Sequence, residues 1–102
     1  MNITAFDPRW IAKTVIGVRA CHELIIARPP DACGIRIDCP ICIGEHRISI
    51  YTADAPADWC PGVARLDVTG DDIRTVSVHP SIRVVEGCKA HVTITNGEVR
   101  AA

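Results

Sequence analysis

Aromatic residues are scarce in this chain, and long apolar runs are absent. Across 102 residues the aromatics are Phe6, Trp10, Tyr51 and Trp59, so a core has to be packed mainly from Val and Ile. Such β-branched side chains suit a pleated, half-buried surface better than a helix, which argues for sheet. No apolar stretch is long enough to span a bilayer as a helix, and no signal-peptide core opens the chain, so the expected compartment is the cytoplasm. An excess of one charge is lacking too. Eleven Lys and Arg stand against twelve Asp and Glu, a formal charge of −1, which removes the global electrostatic case for nucleic acid. Repeats, linkers and low-complexity segments are likewise missing, and the length suits one domain over residues 1–102.

Cysteine, by contrast, is plentiful for so short a chain. There are six, and two of them form Cys39-Pro40-Ile41-Cys42. Two thiolates three residues apart, with a proline stiffening the turn, can aim at one point, which is half of a tetrahedral zinc site. Cys88-Lys89-Ala90-His91 repeats the two-residue gap and ends in an imidazole. Cys39, Cys42, Cys88 and His91 together would close the shell of one Zn2+ and leave no position for a substrate water, so the expected metal is structural. His46, four residues after Cys42, is the alternative to His91 as fourth ligand. Three disulfides are the competing use of six cysteines, but the absence of a signal peptide and the metal spacing favour zinc. Cys21, Cys33 and Cys60 share no spacing and read as small buried apolar residues.

The order of elements follows from alternation and turn residues. Asp7-Pro8 is a helix-start signal, an N-cap residue followed by proline at the first helical position, and a short helical turn giving way to a strand is expected here. Leu24-Ile25-Ile26, stopped by Pro29-Pro30, has the length of a strand. Gly34–Asp38 and Arg47–Tyr51 alternate apolar with polar residues, which makes Cys39–Glu45 the tip of a β-hairpin. Thr52–Gly62 reads as the longest loop, with Trp59 folded back over the core. Leu66 and Val68, then Val76 and Val78, form a second hairpin around Gly70. Pro80-Ser81 breaks its second strand before Ile82-Arg83-Val84 resumes the alternation. Val92 and Ile94 lead into Asn96-Gly97, the preferred two-residue type I′ turn, and Glu98–Arg100 returns. The fold class is therefore mostly β: zinc-ribbon-like antiparallel hairpins stapled by one zinc. Residues 1–33 hold a helical turn and strands, and residues 34–100 the ribbon-like core.

Several short motifs in fixed order carry a resemblance. Cys39-Pro40-x-Cys42, Pro56-Ala57-Asp58-Trp59, Val76-Ser77-Val78-His79-Pro80-Ser81-Ile82, Gly87-Cys88-x-x-His91 and Asn96-Gly97 resemble the pattern of a family of small uncharacterised bacterial and phage zinc-binding proteins, some mislabelled ammonia monooxygenase. The resemblance covers about Gly34 to Arg100. It implies zinc on Cys39, Cys42, Cys88 and His91 and a phage or bacterial source, with the host cytoplasm as compartment if phage-encoded. It implies no activity. Related members occur beside ubiquitin-like conjugation genes and among phage early genes, which suggests interaction roles. One departure is Ile43, which follows Cys42 where glycine is common in such knuckles.

The expectation is accordingly a non-enzymatic zinc protein that binds a host or partner protein through the Thr52–Gly62 loop or an outer strand face. A nucleic-acid-binding zinc ribbon is the alternative, because Arg36, Arg47, Arg65, Arg74 and Arg83 could share a face. Those arginines are interleaved with Asp38, Asp67 and Asp72 and lack aromatic neighbours for stacking, so solvated strand faces explain them better. A hydrolytic enzyme ranks third. His46, His79 or Ser81 could be combined with a cysteine or with a labile zinc, yet no spacing selects one combination.

Overall fold

The structure is a computed structural model that describes residues 1–14, 17–20, 24–42, 46–56, 58, 64–84 and 89–102, with backbone alone for 14 and 17–20. Among the described residues eight strands form two four-stranded antiparallel sheets. The first sheet contains β1 (Arg9–Thr14), β2 (Gly17–Ala20), β3 (Ala32–Asp38) and β4 (Arg47–Tyr51) in the order β2-β1-β3-β4. The second contains β5 (Asp67–Thr69), β6 (Ser77–Arg83), β7 (His91–Thr95) and β8 (Glu98–Ala101) in sequential order. Among the described residues the single helical element is a 3₁₀ turn, Ile3–Phe6. No helix among them is long and apolar enough to cross a membrane.

Period-two alternation decides which face each strand buries. Ile35 and Ile37 of β3 and Ile48 and Ile50 of β4 are buried, while Arg47 and Ser49 point outward. In the second sheet Val78, Ile82, Val92, Ile94 and Val99 are buried. All nine belong to one apolar cluster, completed by Trp10, Ile3, Phe6, Ile73 and Val76, so the two sheets share a core. The opposite face of the first sheet is covered separately by Ile11, Cys33 and Ala55, with Tyr51 against them.

Arg28 ties the sheets together. Its guanidinium lies 5.4 Å from the centre of the Trp10 ring and donates to the Val68 carbonyl at 2.7 Å, while its backbone N–H donates to Asp71. A cation–π contact and hydrogen bonds from side chain and backbone thus converge on Arg28.

The expected hairpins around Gly70 and Asn96-Gly97 are present. Asn96 and Gly97 both take positive φ, 48° and 77°, as a type I′ turn demands. A side chain at Gly97 would also run into the Arg74 carbonyl.

Three local expectations are corrected. The helical turn lies at Ile3–Phe6 rather than after Pro8, because the Asn2 side chain accepts from the Thr4 N–H and caps it. Asp7 ends that turn in the left-handed region, and its carboxylate is taken by Arg9 at 2.7 Å. Leu24-Ile25-Ile26 is exposed and forms no strand; one isolated bridge, Ala27 to Asp72, follows it. Its backbone is held instead by Ile73, which donates to the Ile26 carbonyl. At Pro80 the strand bends rather than ending: Val78 pairs with Ile94 and Ile82 with Val92, so β6 takes four steps where β7 takes two. Proline cannot donate to the ladder, and a bulge accommodates it.

Candidate functional site

The β3–β4 hairpin builds the first candidate site. Its register pairs Asp38 with Arg47, so the next step outward sets Cys39 opposite His46, and the Cys39 N–H donates to the His46 carbonyl at 2.9 Å. Residues facing each other across an antiparallel pair carry their side chains on the same side, so the thiol and the imidazole converge. The turn that begins at Pro40 then folds Cys42 back, and the Cys42 N–H reaches Cys39 Sγ at 3.4 Å. The two Sγ atoms and an imidazole nitrogen of His46 lie within 4.8 Å of one another. Cys39 is fully buried and Cys42 half-buried. Two soft sulfurs and one nitrogen, with a backbone N–H turned onto one sulfur, form a donor set that could hold a metal ion. The third member of this cluster is His46, the alternative ligand. Cys88 lies outside the described residues.

His91 stands at a second place. Arg83 pairs with His91 and Ile82 with Val92, and Ile82 and Val92 face the core, so Ser81, Arg83 and His91 share the outer face of the second sheet. Ser81 is one diagonal step from His91, a separation a histidine ring can bridge. Ser81 Oγ and His91 Nε2 are 2.9 Å apart, and both residues are half-buried. That distance is within hydrogen-bond reach of a nucleophile and its base. No third side chain meets the other ring nitrogen among the described residues, so the arrangement is a dyad.

The chain holds three serines, and the structure separates them. Ser49 is exposed on β4. Ser77 is buried, and its hydroxyl accepts from the Asn96 N–H at 2.9 Å. Ser81 alone of the three has a histidine within hydrogen-bond distance among the described residues. Of the other histidines, His46 belongs to the cysteine cluster, His79 is exposed, and His22 lies outside the described residues. Sequence reasoning had Ser81 among its enzymatic combinations but did not pair it with His91, which the metal spacing had claimed. The available signal was the Pro80-Ser81 interruption in an alternating strand.

The remaining candidates are quieter. Cys33 of β3 is fully buried in the cluster with Ile11 and Ala55, and burial pushes its thiol above the ordinary range, which keeps it protonated and unreactive. Cys21, Cys60 and Trp59 lie outside the described residues. Of the five arginines considered for nucleic acid, Arg47 pairs with Asp38, Arg74 with Asp72, and Arg65 stacks on Tyr51.

In a comparison with protein families, residues 18–102 fit the model of the family described as "Bacterial ubiquitination-like system serine protease (BubE)". Searches of the curated proteins and of the solved structures found no match. The family match covers most of the chain and overturns the expectation of a non-enzymatic interaction module, because the family is named for protease activity.

Proposed function

The chain belongs to the BubE family of bacterial ubiquitination-like system serine proteases, and on that premise we propose that Ser81 is its nucleophile and His91 its general base. The observation that carries this reading is the 2.9 Å contact between Ser81 Oγ and His91 Nε2. A serine hydroxyl is a weak nucleophile until a neighbouring base takes its proton, and His91 is placed to do so.

The chemistry follows from that contact. As Ser81 Oγ attacks the scissile carbonyl carbon, its proton passes to His91 Nε2. The tetrahedral adduct collapses when His91 returns that proton to the leaving amine, so the C–N bond breaks and an ester to Ser81 remains. Water then enters, gives a proton to His91 as its oxygen attacks the ester, and the product acid departs while the proton goes back to Ser81. The bulge before Ile82 adds two residues to β6, so the alternation is kept: Val78 and Ile82 both stay in the core, and Ser81 beside Ile82 faces outward.

The cysteine cluster has a different task. Its donors suit Zn2+, with Cys39, Cys42 and His46 as ligands and Cys88 as the fourth, carried over from the sequence spacing. A zinc held there would supply a structural staple at the tip of the β3–β4 hairpin. His91 is then free to act on Ser81. The substrate class is a protein of the ubiquitination-like system for which the family is named, cleaved at a peptide or isopeptide bond.

A fluorophosphonate probe tests the assignment. Intact and peptide mass spectrometry of the wild-type chain should show one adduct on Ser81. Ser81→Ala and His91→Asn should show none at matched folding. An adduct that persists on Ser81→Ala would place the nucleophile elsewhere.

A further inference from the structure

Next to the dyad lies an open groove of about 440 Å³ lined by Arg83, Val84, Lys89 and His91. Among the described lining residues two, Arg83 and Lys89, are cationic, and both are exposed. Neither Arg83 nor Lys89 has an acidic partner among the described residues, whereas Arg9, Arg47, Arg74 and Arg100 each have one. The positive charge is therefore uncompensated by the described residues at the point where His91 meets the groove.

Among the described residues the backbone beside this groove has an unpaired edge as well. Val84 N–H donates to the Ala90 carbonyl, and hydrogen-bonded pairs alternate along an antiparallel ladder, so Arg83 and His91 form the non-bonded pair between two bonded ones. The His91 carbonyl accordingly turns the other way and accepts from Ala102. By the same rule the N–H and C=O of Arg83 point away from β7, toward the side of β5, which among the described residues pairs with Ser77–His79 alone. An extended peptide can add to such an edge through main-chain hydrogen bonds.

Resting on the Ser81–His91 reading, we propose that the substrate enters as an extended segment along the Arg83 edge of β6 and that the groove is a subsite for an acidic side chain near the scissile bond. Arg83 and Lys89 hold its carboxylate. Main-chain pairing gives register, and the charge gives selectivity.

The test separates binding from cleavage. Pools of eight-residue peptides with amidated C-termini, each position fixed in turn as Glu, Gln or Lys, and a matching set with free C-terminal carboxylates are titrated by fluorescence anisotropy against the Ser81→Ala chain and supplied as substrates to the wild type. At one or two positions the Glu pool should bind about twofold to fivefold more tightly, the range expected of exposed charge pairs. Arg83→Gln combined with Lys89→Gln should erase that preference, and Arg83→Glu should turn it toward Lys-containing pools. Equal binding of Glu and Gln pools, or a preference that survives the double substitution, overturns the subsite. A preference seen only with free C-terminal carboxylates overturns it too. Cleavage without acidic preference sinks the subsite and leaves the dyad standing, whereas a preference in binding with no cleavage by the wild type sinks the dyad and leaves the subsite.

Discussion

Replacing each of the two strand-end histidines in turn separates the proposed metal centre from the proposed dyad. His46→Asn removes one nitrogen from the cluster of Cys39, Cys42 and His46, and His91→Asn removes the base from Ser81. Structural zinc is worth about 10–16 kcal/mol of apparent binding free energy, so losing one of four ligands should cost on the order of 3–4 kcal/mol, or two to three decades of affinity. After dialysis against a competing chelator, His46→Asn should carry far less than one metal per chain by plasma mass spectrometry. The damage should spread into the fold, because Cys39 is fully buried and belongs to the shared core. His91→Asn should do the reverse. Its metal content should equal that of the wild type and its melting temperature should change by less than ~4 °C, since a half-buried side chain on the outer face of the sheet is altered. Peptidase kcat/KM, however, should fall by about 10⁴-fold or more, which is ~5.4 kcal/mol of transition-state stabilisation. If instead His91→Asn released the metal and His46→Asn retained it, the ligand set would be Cys39, Cys42, Cys88 and His91, and the catalytic reading of His91 would fail.

Gly97→Ala should destabilise the fold by at least about 2 kcal/mol in urea titration, because an L-residue pays for the left-handed φ of 77° and its Cβ also meets the Arg74 carbonyl; a change under ~0.5 kcal/mol would show that the turn relaxes freely. Ile94→Ala should cost ~2–5 kcal/mol, as its side chain is fully buried between the sheets, and an intact denaturation midpoint would mean the core had collapsed around the gap. Asp72 should titrate at about 2 in an NMR pH series, because the Arg74 side chain and backbone N–H both hold its carboxylate. Its folded pKa lies below the ordinary value of 3.8, so the stabilising contribution is present above pH ~4 and is lost as the pH falls toward ~2. Asp72→Asn should flatten that limb of the stability curve. Cys33 should resist iodoacetamide in the native protein and react once denaturant exposes it, since burial both shields the thiol and raises its pKa.

Much of this molecule is written in local pattern. Alternation at Ile35 and Ile37, Ile48 and Ile50, and Val92 and Ile94 states which side of each strand meets the core, and Asn96-Gly97 states where one hairpin must turn. The Cys39-Pro40-Ile41-Cys42 spacing likewise announces a knuckle without reference to any other part of the chain. What alternation cannot state is which residue a strand will face, because a period of two is satisfied by many registers and many partners. Register alone placed His46 opposite Cys39, and the paired strands β6 and β7 alone placed His91 against Ser81, although spacing counted His91 with the cysteines. Leu24-Ile25-Ile26 shows the same limit from the other side. Its apolar run is sound strand material, yet the described sheet positions are filled by other segments, and Ile73 takes its backbone into a loop contact instead. Local chemistry determined the strands, turns and knuckle; the long-range pairing of backbones decided which histidine stands beside the cysteines and which one beside Ser81.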